Sequence, residues 1–246
     1  KMRRGRKKAA ERGQRAMNEV IRNSTTIGIV ISLLAFEIGV LLRAKLGFAV
    51  LNPLLISIIL VIAFMVTFRI DYDNYILSAR YLSYLLTPAT VALAVPLYQQ
   101  MQLLKDNLLA VMIGVFSGVL TSLVSILLLC LVFHMSHAEY ITLLPKSITT
   151  AIGMSVVEEL GGYTTITVAS IIVTGILGNV IAEPVCRLFA IKSPIARGLA
   201  LGTSAHAIGT AKAMQLGEVE GAMAGLAIVV SGIMTVIGAS VFANFI

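Results

Sequence analysis

The sequence predicts an all-α fold, a polytopic transmembrane helical bundle of about seven to eight membrane segments, and three observations carry that expectation. Of the 246 residues, 58% are hydrophobic and only 13% are charged, about half the charged share of roughly 25% that covers a soluble domain. The apolar residues also gather into runs of bilayer-crossing length, about 17–25 residues each, clearest at 25–42, 51–68, 108–133, 166–181 and 221–246. Finally, the runs are continuous rather than alternating. That pattern fits helices and not barrel strands, the two structures that satisfy their own backbone polar groups in lipid.

The net charge of +7 is concentrated at one end. Residues 1–22 hold nine Lys or Arg and two Glu, while the remainder holds ten basic and ten acidic residues. A basic block such as Lys1-Met2-Arg3-Arg4-Gly5-Arg6-Lys7-Lys8 can bind nucleic acid. Directly before a membrane helix it reads better as a cytoplasmic arm lying on anionic lipid, with no nucleic acid involved. The chain therefore divides into a basic arm, 1–22, and a transmembrane domain, 23–246, whose candidate halves are 25–135 and 140–246. Cys130 and Cys186 sit in or beside apolar runs and read as small buried residues. Neither metal-ligand spacing nor a Gly-rich nucleotide loop occurs, so no metal or cofactor is expected.

Along the chain, 25–42 forms the first segment, and Asn52-Pro53 opens the second in the position where proline suits a first turn. The third, about 75–100, is interrupted at Thr87-Pro88-Ala89-Thr90 and again at Pro96. The fourth is 108–133. The fifth, 143–160, is short and polar, and either spans or is re-entrant. The sixth ends at Glu183-Pro184, the seventh (195–216) is the least hydrophobic, and the eighth closes the chain. With eight crossings and the arm inside, the loop charges place both ends in the cytoplasm. A re-entrant fifth segment would move everything after it to the other side. Ser117-Gly118-Val119-Leu120-Thr121 resembles Ser231-Gly232-Ile233-Met234-Thr235, and Thr87-Pro88-Ala89 stands in the same relation to Thr203-Ser204-Ala205. Paired interrupted segments of this kind point to an inverted repeat and to a transporter's binding site.

Three polar stretches at membrane depth are the candidate site. Pro88 removes a backbone donor and kinks or breaks its helix. A break bares N–H groups and the positive end of a half-helix, which with Thr87, Ala89 and Thr90 would suit a small carboxylate; a simple kink packed by neighbours is the rival reading. Thr203, Ser204, His206, Gly209 and Thr210 crowd hydroxyls, an imidazole and helix-weakening glycines into one segment. Ionisable groups at such depth usually face a cavity or the bundle interior. His206 either relays a proton, its ordinary pKa being near neutrality, or stays neutral and bonded to a backbone carbonyl. Lys212 is expected to snorkel to the interface. Thr149 and Thr150 join the site list, near Lys146, while Glu158 and Glu159 read as a solvated helix end. Ser204 and His206 are two residues apart and point to different helix faces, so a hydrolase pair is not expected and the chain reads as no enzyme.

Three blocks carry a family resemblance: Pro88-Ala89-Thr90-Val91-Ala92-Leu93-Ala94-Val95-Pro96-Leu97-Tyr98, Leu144-Pro145-Lys146-Ser147-Ile148-Thr149-Thr150-Ala151-Ile152, and Pro194 through Ala211. They resemble the LrgB/CidB family, over about Thr25 to Ile246 and without the basic arm. The resemblance implies a multi-pass protein of the bacterial inner membrane, first described as antiholin-like and affecting murein hydrolase activity and cell lysis. It implies a small membrane partner of the LrgA/CidA type, and a homo-oligomer is a further expectation. The related half of a plant plastid-envelope protein translocates glycolate and glycerate, and bacterial pairs are linked to pyruvate uptake. The leading expectation is thus a carrier for small monocarboxylates, coupled to protons through His206. The alternative is a holin-associated regulator of murein hydrolase activity and lysis.

Overall fold

The computed structural model describes residues 18–19, 24–46, 52–85, 88, 91, 95 and 98–246. The described residues are helical and include no strand, as an all-α membrane protein requires. The chain forms two compact units, Lys1–Thr90 and Val91–Ile246.

In the first unit, α1 (Ile27–Leu46), α2 (Pro53–Phe68) and α3 (Tyr72–Ala79) pack together, and a 3-10 turn, Arg80–Leu85, follows. Asn52 caps α2 by accepting from the N–H groups of Leu54 and Leu55, satisfying two donors a helix start would otherwise leave bare. Gly28 lets α1 approach α3 closely enough for its N–H to donate to Ser78 Oγ at 2.8 Å. The side chain of Asn18 donates to the carbonyl of Arg69 and accepts from the N–H of Asp71, steadying the turn between α2 and α3. Apart from Asn18 and Glu19, the basic arm lies outside the described residues.

The second unit contains α4 (Met101–Asp106), α5 (Leu108–Val132), α6 (His137–Leu143), α7 (Thr150–Leu160), α8 (Thr164–Leu188), α9 (Pro194–Leu216) and α10 (Glu218–Phe242). By length and composition α1, α5, α8 and α10 can cross a bilayer. On α5, Val111, Val115, Val119, Leu123, Ile126 and Cys130 are buried, a stripe at helical spacing that faces the bundle. Its other face exposes Leu109, Ile113, Phe116, Leu128 and Leu131. A row of large apolar side chains that long is suited to lipid and not to water.

α9 does not cross. Its backbone breaks at Ala205 (φ −128°, ψ 16°) and His206 (φ 42°, ψ −136°). A side-chain carbon at Gly209 would fall against the carbonyl oxygen of Leu201. In a straight helix eight residues span about 12 Å, so the two halves, 194–204 and 207–216, must fold back on each other. Contacts with the neighbours agree. Ala205 meets Gly178 of α8, while Lys212 returns to Glu183, nearer the end of α8 where the hairpin began. The expected seventh crossing is therefore corrected to a re-entrant pair. Composition hid this, because two halves of about 16 Å each have the length of one crossing.

The fifth segment is re-entrant as well. α6 starts where α10 ends, with Tyr140 Oη donating to the carbonyl of Phe242 at 2.9 Å. Ser136 and Glu139 form a capping box there. The chain then dips until Ser147 Oγ lies 3.1 Å from Ser122 Oγ of α5. α7 leads back, so that the N–H of Tyr163 donates to Thr142 Oγ1 at 2.8 Å. Each hairpin is followed by one crossing helix, α8 after the first and α10 after the second. The two hairpins enter from opposite ends of this bundle, and α8 runs antiparallel to α10. The result is an inverted pair of hairpin-plus-helix units inside the second compact unit.

Candidate site at the tips of two re-entrant hairpins

The tips stop at matching depth. Ser122, beside the first tip, is ten residues from the end of α5, and Gly178, beside the second, is ten from the end of α8. At 1.5 Å per residue both lie about 15 Å in, halfway through a hydrocarbon core of about 30 Å.

Two glycines on α8 admit the second tip. A carbon added at Gly178 would lie 2.5 Å from Ala205 Cβ, and one at Gly175 would lie 2.8 Å from the His206 ring. The close approach brings His206 Nε2 to 2.9 Å from the carbonyl oxygen of Ile171. The ring is buried, and the neutral Nε2–H tautomer donates in that geometry. Its φ of 42° is left-handed, strained for a residue with a side chain. Thr210 Oγ1 donates to the carbonyl of His206 at 3.1 Å, and Asn179 Nδ2 donates to that of Ile208. Both bonds hold carbonyls near the break. The first tip reaches the same place on α8: a carbon at Gly153 would meet Ile171 Cδ1 at 2.6 Å. Ile171 is therefore touched from both hairpins.

On α5 the tips occupy adjacent turns. Ser122 meets Ser147 of the first hairpin. Gly118, four residues earlier and so on the same helix face, packs against Thr203 of the second: a carbon added there would lie 2.8 Å from Thr203 Cγ2. Thr203 Oγ1 is buried and has no hydrogen-bond partner among the described residues. Lys146, half-buried, donates from Nζ to Ser147 Oγ at 3.1 Å.

The expected site residues thus separate. Thr203, Gly209, His206 and Thr210 are buried around the second break. Thr149 and Thr150 are half-buried at the start of α7, where Thr149 is the N-cap and makes no side-chain cap bond. Ser204 is exposed and its Oγ donates to the carbonyl of Ala200; with His206 turned to Ile171, no Ser–His pair forms. Thr87, Ala89 and Thr90 lie outside the described residues, and Pro88 is exposed within the first unit. Lys212 does not snorkel: it is buried and pairs with Glu183. Arg197 pairs with Glu220 at 4.0 Å and also donates to the carbonyl of Ile191. Sequence reasoning did not single out Gly118, Ser122, Ile171, Gly175 or Gly178 as site neighbours. Gly175 and Gly178 could have been found, since small residues three apart in an apolar helix mark close helix packing.

The comparisons with known proteins agree with one another. The LrgB-like family matches over residues 32–245. Antiholin-like protein LrgB of Bacillus subtilis (strain 168) is 37% identical over 224 residues, covering 91% of this chain and 97% of that protein. The protein of the same name from Bacillus mycoides (strain KBAB4) is 35% identical over 220 residues, 89% of this chain and 96% of its own length. That of Bacillus cereus (strain B4264) is 34% identical over the same share of each chain. No solved structure matches. With its apolar crossing helices and a match over nearly all its length, the chain is a membrane protein that belongs to the LrgB-like family.

Proposed function

We propose that this chain is a carrier for small monocarboxylates in a bacterial inner membrane. One observation supports the reading above all others: two re-entrant hairpins enter from opposite ends and stop together halfway through the bundle. Carriers gather their sites where discontinuous helices of inverted repeats meet at the midplane. Half-helix starts at such a place favour an anion. A stable packing block would have no use for two broken segments carrying buried polar side chains, each of which costs free energy when desolvated. His206 is the proton-coupling candidate, because protonation at Nδ1 would leave its Nε2–H bond to Ile171 in place.

Charge asymmetry gives the orientation. At one end of the second unit stand Lys105, Arg187, Lys192 and Arg197; the loops at the other end, 133–136, 161–163 and 243–246, carry no Lys or Arg. The positive-inside rule then puts the basic end in the cytoplasm and the Ile246 end outside. This proposal departs from the expectation of two cytoplasmic ends because it takes Lys105 to the inner side, where eight crossings would leave it outside. The basic arm would lie on anionic lipid at the inner face.

A second reading is favoured by the relatives' names, which are antiholin-like. In it the chain regulates murein hydrolase activity and lysis together with a small LrgA/CidA-type membrane partner. Uptake of labelled pyruvate, glycolate and glycerate by liposomes holding the purified chain alone separates the two. Uptake without the partner supports the carrier. No uptake alone, but a change in murein hydrolysis when the partner is present, supports the regulator.

A further inference from the structure

Three cationic side chains of the second unit reach its interior, and two of them are neutralised. Lys212 is buried against Glu183, and Arg197 pairs with Glu220. Lys146, at the first hairpin tip, differs. Among the described residues no carboxylate pairs with it, and its Nζ donates to the neutral Ser147 Oγ. Removing an ammonium from water is costly unless an opposite charge approaches. A half-buried cation left with a hydroxyl is therefore a group that lacks its counterion.

A second orphan stands one helical turn away. Four other buried hydroxyls of the unit are bonded: Thr142 to Ala138, Thr167 to Thr142, Thr210 to His206, and Ser147 to Ser122. Thr203 Oγ1 alone is buried without a partner among the described residues. Thr203 packs on Gly118 and Ser147 on Ser122, positions separated by about 6 Å on one face of α5. The unpaired charge and the unpaired hydroxyl come from different hairpins and stand at neighbouring turns. The unbonded N-cap of α7 at Thr149 adds bare backbone donors three residues after Lys146.

We propose that Lys146 binds the carboxylate of the transported anion and that Thr203 Oγ1 bonds an oxygen on its adjacent carbon. The assignment rests on the carrier reading and refines it. One unpaired cation suits one carboxylate, so short 2-oxo and 2-hydroxy monocarboxylates are taken in preference to dicarboxylates, whose second charge would have no partner. A ligand held by Lys146 on one side and Thr203 on the other bridges both hairpins, which couples its binding to their relative movement.

The test uses the full chain in liposomes with labelled pyruvate. Lys146→Gln is expected to weaken uptake by about tenfold or more, the size expected when a charge-assisted hydrogen bond is removed. Lys146→Arg keeps the charge and is expected to retain more uptake than Lys146→Gln. Thr203→Val is expected to lose the preference for pyruvate over propionate as competitor while Thr203→Ser keeps it. A measurement on the unaltered chain guards against misfolded variants: pyruvate should slow carbamylation of Lys146 by cyanate, followed by peptide mass, and leave Lys105 unaffected. Undiminished uptake by Lys146→Gln, or no protection of Lys146 in a preparation that transports, overturns the assignment and leaves the carrier reading standing. Absence of pyruvate uptake by the unaltered chain overturns the carrier reading itself, and the assignment with it.

Discussion

His206 Nε2 lies 2.9 Å from the carbonyl oxygen of Ile171, and the first hairpin packs on the side chain of that same Ile171. A single residue of α8 thus feels both re-entrant tips, one through its backbone and one through its side chain. Ile171 is therefore the contact through which a displacement of His206 would bear on the first hairpin.

The first prediction concerns that ring. His206→Gln preserves a donor to Ile171 and removes titration, so the protein should remain monodisperse and fold normally. Its uptake of pyruvate should vary little between about pH 5.5 and 7.5, the range in which an imidazole ordinarily changes charge. The unaltered chain should vary across that range. An identical pH profile for both proteins would make His206 a packing residue and remove it from proton coupling.

Close packing at the second tip predicts a different result. Gly178→Ala places a methyl where Ala205 Cβ already lies at 2.5 Å, and overpacking of this kind costs about 1–3 kcal/mol. Ala205→Gly in the same protein should recover part of the loss. Thermal denaturation of the four members of the cycle, read by the fraction still monodisperse after heating, measures the coupling. Additive effects would mean that the two residues do not share this space.

An ion pair of unequal burial predicts an unequal pair of mutants. The Lys212 side chain is 8% exposed and that of Glu183 is 44% exposed, and Glu183 is also paired with Arg187. Glu183→Gln strands a buried ammonium, whereas Lys212→Gln leaves a half-exposed carboxylate with another partner. Glu183→Gln should therefore lower the melting temperature more, though by less than the roughly 3–5 kcal/mol of a fully buried broken pair, because solvent screens the Glu183 side. Equal losses, or a larger loss for Lys212→Gln, would contradict the unequal desolvation argued here.

Much of this arrangement was legible in the chain, but unevenly. The crossing helices followed from apolar length, and the break in α9 from Thr203, His206, Gly209 and Thr210 in a segment that lipid would disfavour. The direction of the chain after the break was not legible, since a kinked crossing and a folded-back hairpin have the same length and composition. Lys146 illustrates the limit most clearly. Its residue type and depth could be read along the chain, but its want of a counter-charge is a relation among helices far apart in sequence. The same holds for Thr203, whose orphaned hydroxyl emerges only when α5 is brought against it.

Topology offers an independent test. With Cys130 and Cys186 replaced, a cysteine at Ser193 should react with a membrane-impermeant maleimide only from the cytoplasmic side. One at Gly161 should react only from outside. Both reacting from the same side would remove the antiparallel relation of the two hairpin units.

Counterflow tests the central claim most directly, because it distinguishes a carrier from a pore and from a pure regulator. Liposomes holding the purified chain are loaded with unlabelled pyruvate and diluted into labelled pyruvate. The account predicts transient accumulation of label above its outside concentration, and saturation as outside pyruvate is raised. Label that merely equilibrates, at a rate proportional to concentration and indifferent to the internal load, would contradict it in favour of a pore; no protein-dependent entry at all would contradict it in favour of a regulator.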